Sequence, residues 1–151
     1  MEEISREADS AEAQKYLIFM ILEKRYALPS RIISEVAALE KVFPLPLVPP
    51  FVRGIINRYS IPYALVDVSL ILGGDSAQGS KVIVFKEETD RLALLIDDVV
   101  DFADLPPSAL MDVDQEAGAA ANLVRAFFEW KGNPVFCLES DELLRHIQQE
   151  A

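Results

Sequence analysis

The apolar residues of the chain fall into short runs separated by polar or turn-forming positions. The first run, YLIFMIL at residues 16–22, is rich in β-branched and aromatic side chains, and a second apolar run, YAL, follows the charged residues EKR. Short runs of this kind, bounded by turn signals, are typical of β-strands. The pattern therefore predicts a strand, a tight connection and the start of a second strand.

The same pattern continues towards the end of the chain. Further strands are predicted in the segments VRGIIN, YALVDVSLIL, KVIVF, LALLI, RAFFEW and PVFCL. The segment PSRIISEVAALEKV predicts one helical turn near residue 32 that leads into a strand, and SDELLRHIQQE predicts a C-terminal helix. About nine or ten short strands with few helices indicate a mainly β fold of small barrels rather than a βαβ sheet.

Three segments between the predicted strands carry turn or loop signals. FPLPLVPPF, residues 43–51, contains four prolines, which lack an amide donor, and is predicted to be an extended loop. GGDSAQG, residues 73–79, contains three glycines and is predicted to be a flexible linker between two halves of the core. NRYS, residues 57–60, separates two apolar runs and is predicted to hold the turn between two strands.

Composition and charge place the chain among folded, acidic proteins. Apolar residues make up 51% of the 151 residues, and 25 acidic against 14 basic side chains leave a net charge of −11. An acidic surface repels phosphate backbones and anionic lipids, which disfavours nucleic acid and membrane as partners. No apolar run reaches about 18 residues, and the acidic N-terminus has no apolar signal-peptide core, so we expect a cytoplasmic protein.

The sequence offers few candidates for chemistry. The single cysteine, Cys137, excludes an intramolecular disulfide, and the single histidine, His146, lies on a polar terminal helix without an evident partner. The run from Asp112 begins like a calcium loop, but Ala117 replaces the required glycine and Leu123 the final glutamate. No phosphate loop, dinucleotide fingerprint or nucleophile elbow occurs. We therefore expect no cofactor and no enzyme, but a protein that binds other proteins.

One catalytic alternative stays open. Asp97, Asp98 and Asp101 in IDDVVD could act as the paired carboxylates of a hydrolase. A sugar hydrolase of that kind needs a cleft lined with aromatic side chains, and Trp130 is the only tryptophan. A solvated strand edge is the default explanation of the three carboxylates. A small-ligand-binding β-protein or a carboxylate hydrolase is thus the alternative in a different functional class.

Four ordered stretches together resemble the CheW-like chemotaxis coupling proteins. They are YLIFMILEKRYALPSRIISEVAAL, PPFVRGIINRYSIPYALVDVSLILG, RLALLIDDVVDFADL and VFCLESDELL. The resemblance implies two small five-stranded β-barrels packed together, with a short helix near residue 32 and a C-terminal helix. It further implies a non-enzymatic adaptor that couples the regulatory domain of a CheA-type histidine kinase to the cytoplasmic tips of chemoreceptors, without a cofactor.

The resemblance also divides the chain into expected parts. They are a flexible acidic tail at 1–14 and a CheW-like domain at 15–147, made of a first barrel at 15–72, a Gly-rich linker at 73–79, a second barrel at 80–138 and a terminal helix at 140–149. Three residues match family positions that contact the kinase: Leu17, Ile33 and Val99. Four residues match receptor-facing or groove-stabilising positions: Glu35, Asn57, Arg58 and Tyr59.

The chain departs from the family pattern at the NRYS turn. In the family an arginine pairs with the acidic residue that corresponds to Glu35, but Tyr59 occupies the arginine position here and Arg58 lies one residue earlier. A shift of one residue along a strand turns a side chain to the opposite face. A divergent member that binds the kinase but not receptors is therefore the second interpretation within the family. Two family glycines are also replaced, by Ala93 and Ala126.

Overall fold

The computed structural model describes residues 13–86, 91–113 and 121–150. Its strands are β1 (Gln14–Ile21), β2 (Lys24–Pro29), β3 (Ile33–Ala38), β4 (Val52–Arg58), β5 (Ile61–Val66), β6 (Lys81–Phe85), β7 (Leu92–Ile96), β8 (Asp98–Leu105), β9 (Met111–Asp112), β10 (Val124–Trp130) and β11 (Asn133–Leu138). Its helices are α1 (Val68–Ile71), α2 (Ser140–Glu150) and 3₁₀ turns at Ser30–Ile32, Pro107–Ala109 and Ala121–Leu123. The mainly β fold, the short helix near residue 32 and the C-terminal helix are confirmed.

The described strands form two sheets. One sheet has the order β8-β1-β2-β11-β10-β9 and the other β3-β6-β7-β5-β4. A division into barrels at 15–72 and 80–138 requires that each sheet contain strands from only one half of the sequence. The two sheets instead mix the halves: the β1–β2 hairpin joins strands of the second half, and the β6–β7 hairpin joins strands of the first half.

This exchange of hairpins reflects an internal repeat. The order β8-β1-β2-β11-β10 in one sheet corresponds strand for strand to β3-β6-β7-β5-β4 in the other. Each sheet contains one parallel pair at the equivalent place, β11 with β2 and β7 with β5. Each also has a register shift at the start of the equivalent hairpin, before Gly54 in β4 and before Ala126 in β10. Each half of the chain thus supplies two strands to one barrel and the remaining strands to the other.

The apolar core lies inside and between the two sheets. Side chains alternate across a strand, so β1 sends Leu17 and Phe19 into a large cluster shared with the five-stranded sheet, and Tyr16 and Ile18 into a smaller cluster of its own sheet. Both faces of β1 are therefore buried. That burial explains why the sequence here is a continuous apolar run rather than an alternating one.

The three hairpins with two-residue turns share one turn geometry. The residues Leu22 and Glu23, Tyr59 and Ser60, and Lys131 and Gly132 all have positive φ angles and lie between paired strand ends. Two successive positive φ angles match the twist of antiparallel strands. The NRYS cluster is therefore a hairpin turn, with Asn57 and Arg58 ending β4.

Two sequence expectations change in this part of the chain. The strand predicted for YALVDVSLIL ends at Val66, and α1 follows it. The Gly-rich segment is held to the barrel by Asp67, whose side chain is fully buried: Oδ2 accepts hydrogen bonds from Ala77 N (2.9 Å) and Arg53 Nη1 (3.1 Å). Arg53 Nη1 also donates to Ser76 Oγ at 2.7 Å. The middle of the expected flexible linker is thus pinned by a buried carboxylate.

We predict that Asp67→Ala lowers the free energy of unfolding by about 2 to 4 kcal/mol, because it leaves the buried Ala77 amide without its acceptor and removes the anion that pairs with Arg53. Thermal or urea denaturation followed by circular dichroism measures the change. The control is Asp75→Ala in the same segment, where the side chain is exposed and the expected change is within about 0.5 kcal/mol. Equal stability of the two variants would contradict the role given to Asp67.

Candidate protein-interaction site

The five-stranded sheet is closed into a barrel at the seam between its two end strands, β3 and β4. Glu35 on β3 and Arg58 on β4 form an ion pair in which Arg58 Nε donates to Glu35 Oε1 at 2.8 Å. Tyr59 Oη donates to the other carboxylate oxygen of Glu35 at 3.4 Å, and the Arg58 guanidinium lies over the Tyr59 ring. The pairing expected of the family arginine is therefore made by Arg58.

A short backbone bridge supports the same seam. Phe43 and Ile55 exchange two hydrogen bonds of 2.8 Å, although Phe43 belongs to no long strand. Gly54, next to Ile55, has a φ of +139°, and a Cβ there would clash with the carbonyl oxygen of Phe43. Glycine is required at this position because the two backbones approach too closely for a side chain.

The ion pair controls the titration of Glu35. The hydrogen bond from the Arg58 guanidinium holds the pKa of the Glu35 carboxyl below its ordinary value. The same hydrogen bond raises the pKa of Arg58. Both side chains keep about a quarter of their surface exposed, 26% for Glu35 and 22% for Arg58. The seam is therefore a charged, solvent-accessible feature that a partner could contact.

A groove runs along this seam. It is lined by Ala38, Glu40, Lys41, Phe43, Ile56, Asn57 and Arg58. Asn57 is exposed. Tyr59, which lies in the hairpin turn directly after Arg58, is 81% exposed. Of the four residues expected at a receptor-facing site, Asn57 and Arg58 thus line this groove, while Glu35 and Tyr59 contact Arg58.

The six-stranded sheet has an equivalent seam. Asp101 on β8 follows a register shift and corresponds to Glu35, which follows the same kind of shift on β3. Asp101 Oδ2 accepts hydrogen bonds from Lys131 Nζ (3.0 Å) and Trp130 Nε1 (3.2 Å). Each barrel is thus closed by an acidic side chain that accepts from a cation and an aromatic donor at a hairpin turn.

The three residues expected at a kinase contact have different environments. Leu17 is 1% exposed and belongs to the core, so its side chain can support an interface but is not accessible to a partner. Ile33 and Val99 are half-buried and pack against the edge of the large core cluster. They occupy equivalent positions, each just before the register shift near the start of its strand.

The structure adds exposed apolar residues that the sequence reasoning missed. Phe102 on β8 is 54% exposed, and Val36, at the equivalent position of β3, is 37% exposed. Phe102 is paired in register with Leu17. An apolar residue at a strand position normally signals burial, so this exposure was not predictable from the apolar pattern. The edge position of β8 became visible only with the sheet order.

The three aspartates of the hydrolase alternative are engaged separately. Asp97 Oδ2 accepts from the Leu22 amide at 2.7 Å, and Asp98 pairs with Lys81 at 2.5 Å, whereas Asp101 lies in the seam. Hydrogen bonds from Lys81 and Lys131 lower the pKa of Asp98 and Asp101 respectively. A general acid needs a raised pKa, so this arrangement gives no support to the paired-carboxylate mechanism.

The other candidates for chemistry are Cys137, His146 and the calcium-like run. Burial raises the pKa of the Cys137 thiol to about 12, so it is not a thiolate nucleophile. The His146 ring packs against Phe51 with centroids 5.4 Å apart. Most of the calcium-like run, residues 114–120, lies outside the described residues. Within the described ranges, no group of three or more His, Cys, Asp or Glu side chains converges as metal ligands would.

The replaced family glycines are accommodated, since neither Ala93 nor Ala126 has a positive φ. An alanine therefore fits both positions without backbone strain. As far as the structure describes the chain, no helix is long and apolar enough to span a bilayer.

The fold and the site define a class, a β-protein of two interlocked barrels with a charged groove at one seam and apolar edge strands. The model of the CheW-like domain family matches residues 15–148, and the chain belongs to this family. None of the characterised proteins compared with it matches at a significant level. Among solved structures, the scaffolding protein TtCheW from Thermoanaerobacter tengcongensis is similar, with a TM-score of 0.75, 17% identity and 84% of each chain covered.

We predict that Arg58→Ala raises the pKa of Glu35 towards the ordinary value of a glutamate, because it removes the hydrogen bond that favours the carboxylate. NMR titration of the Glu35 side-chain carboxyl measures the shift. Tyr59→Phe removes only the longer hydrogen bond and should produce a smaller rise. An unchanged Glu35 pKa in Arg58→Ala would show that the ion pair does not form in solution.

The same pair predicts a pH dependence of stability. A carboxyl whose folded-state pKa is lowered contributes stability above its unfolded-state pKa and loses it as the pH falls through the folded value. Wild type should therefore be more stable than Arg58→Ala at neutral pH, and the difference should vanish in acid, below the lowered pKa of Glu35. Urea denaturation across the acid range measures it, and a difference independent of pH would contradict the assignment.

Proposed function

We propose that this protein is a non-enzymatic coupling scaffold of chemotaxis-type signalling, which binds the regulatory domain of a CheA-type histidine kinase and the cytoplasmic tips of chemoreceptors. Membership of the CheW-like family and the similarity to a protein described as a scaffold support this class of function. Such a role would place the protein in the cytoplasm, where receptor tips and kinase meet.

The observation that carries the proposal is the Glu35–Arg58 ion pair. The family pairs an arginine with this acidic residue, and the chain forms the pair from a neighbouring position. The kinase-only alternative depends on loss of that pair through the altered turn. The pair is present, so we favour a protein that retains receptor binding at the groove beside Glu35, Asn57, Arg58 and Tyr59.

The kinase contact is assigned to the other candidate residues. Ile33 and Val99 keep part of their surface exposed at equivalent edge positions, which suits a contact made by a few apolar anchors. Leu17 supports them from within the core. An interface with few anchors has modest affinity, as an assembly that exchanges its members requires.

We predict that Ile33→Asp abolishes binding to the kinase regulatory domain, because it puts a charge where an apolar contact is made. A pull-down with the purified domain measures binding, and an unchanged circular dichroism spectrum shows that the variant is folded. Leu47→Asp is the matched control, since Leu47 is fully exposed on the proline-rich loop. Unimpaired binding by Ile33→Asp would refute the assignment of Ile33.

The receptor contact is tested by reversing the charges of the seam. Glu35→Arg and Arg58→Glu each place like charges together and should weaken co-sedimentation with receptor-bearing membranes, with and without kinase. The double variant restores an ion pair in the opposite order. Restored co-sedimentation of the double variant would assign the pair a groove-stabilising role. Co-sedimentation that stays weak although the double variant is stably folded would assign the pair a direct receptor contact. Wild-type sedimentation by both single variants would exclude the seam from receptor binding.

A further inference from the structure

A basic pocket lies at the start of β1. It has a volume of about 340 Å³ and is lined by Ala13, Gln14, Lys15, Ser30 and Arg31. Two of these lining residues are cations and none is acidic, in a chain whose net charge is −11. Cations that converge on one surface of an acidic protein create a local site for anions.

Both cations of the basic pocket lack a counter-ion within the described part of the chain. Lys15 and Arg31 are exposed, and neither forms an ion pair with another described residue. Asp104 lies opposite Lys15 in the register of β1 and β8, but it is exposed and does not pair with it. Asp104 therefore lowers the positive potential at Lys15 without occupying the pocket.

The chain carries an anionic segment directly before this pocket. The acidic segment, residues 1–12, lies outside the described residues and contains one basic side chain and five acidic ones, Glu2, Glu3, Glu7, Asp9 and Glu12. It is joined to the pocket through Ala13, one of the lining residues. An extended chain spans at most about 3.5 Å per residue, so Asp9 lies within about 14 Å of Ala13 in any conformation. Such a tether holds the carboxylates near the pocket at an effective concentration of about a millimolar or more.

We propose that the acidic segment binds intramolecularly to the basic pocket, where the carboxylates of Asp9 and Glu12 neutralise Lys15 and Arg31. The inference goes beyond the proposed function and does not depend on it, because the site and its occupant belong to the same chain. Exposed ion pairs are individually weak and are screened by salt. Binding of the segment is therefore expected at low ionic strength and lost at high ionic strength.

The position of the basic pocket gives this contact a consequence. Arg31 belongs to the 3₁₀ turn Ser30–Ile32, and Ile33, the proposed kinase contact, follows that turn directly. The bound segment occupies a pocket that an acidic group of a partner would otherwise reach. It thus screens the charge beside the Ile33 surface.

The test places a nitroxide spin label on the acidic segment of the full chain and detects its proximity to the pocket by NMR. Ser10→Cys supplies the attachment site, while burial raises the pKa of Cys137 to about 12 and keeps that thiol unreactive. A label held at the basic pocket should broaden the amide signals of Ser30 and Arg31. The amide of Glu23, at the far end of the β1–β2 hairpin, should stay sharp.

The charges are then removed from each side in turn. Neutralising the segment with Asp9→Asn and Glu12→Gln should reduce the broadening of the Ser30 amide by at least about twofold, because the ion pairs are lost. Neutralising the pocket with Lys15→Gln and Arg31→Gln should reduce it equally. A rise in salt from about 50 to about 500 mM should have the same effect on the unmodified charges.

The matched control removes two cations elsewhere on the same hairpin. Lys24→Gln with Arg25→Gln, at the opposite end of β2 from the pocket, should leave the broadening of the Ser30 amide unchanged. Equal broadening in the unmodified chain and in both neutralised variants, at low and high salt, would overturn the inference, since the segment would then only stay near its point of attachment.

A mixing experiment separates binding within one chain from binding between two. Spin-labelled chains without isotope are mixed with isotope-labelled chains that carry no spin label. Sharp Ser30 and Arg31 signals in the mixture support intramolecular binding. Broadening in the mixture as large as within one labelled chain would assign the pocket to the acidic segment of a second copy and would overturn the proposal.

Discussion

The structure depends on one constraint: the β1–β2 and β6–β7 hairpins must each complete a barrel made mostly by the other half of the chain. A hairpin in this position is buried on both faces, by its own barrel on one side and by the neighbouring barrel on the other. Leu17 and Ile18, adjacent on β1, accordingly belong to different core clusters. The two barrels therefore share their stability, since neither can bury its apolar side chains without strands from both halves.

This shared core leaves the barrel seams as the places where the structure is closed by side chains. The end strands β3 and β4 are joined by the Glu35–Arg58 pair, and a backbone bridge ties Phe43, which lies beyond β3, to Ile55 of β4. The equivalent strands of the other sheet are joined through Asp101. An ion pair that is partly exposed contributes little to stability. Its value at a seam is geometric: it fixes the spacing of two strands while leaving their polar groups accessible. That combination explains how a structural contact can also border a binding groove.

Local features of the fold were predictable from the sequence, whereas the connection between its halves was not. Apolar runs and turn residues indicated the strands, the NRYS turn, the helical turn near residue 32 and the final helix, because these depend on neighbours in sequence. The exchange of hairpins depends on pairings such as Phe136 with Tyr26, which are far apart in the chain and leave no local signal. The same limit applies to the site. A resemblance pointed to Glu35 and Arg58, but only the sheet order exposed Phe102.

The shift of the arginine by one residue shows how the seam tolerates sequence change. On β4 the buried residues Gly54 and Ile56 alternate with exposed ones, and Arg58 continues on their side towards Glu35. Strand alternation would send residue 59 to the opposite face, but Tyr59 has a φ of 53° and already belongs to the turn. Its hydroxyl consequently reaches the same carboxylate as Arg58. Because the alternation ends at Arg58, either of these two positions can supply the donor, and the ion pair survives a substitution that would abolish it in the middle of a strand.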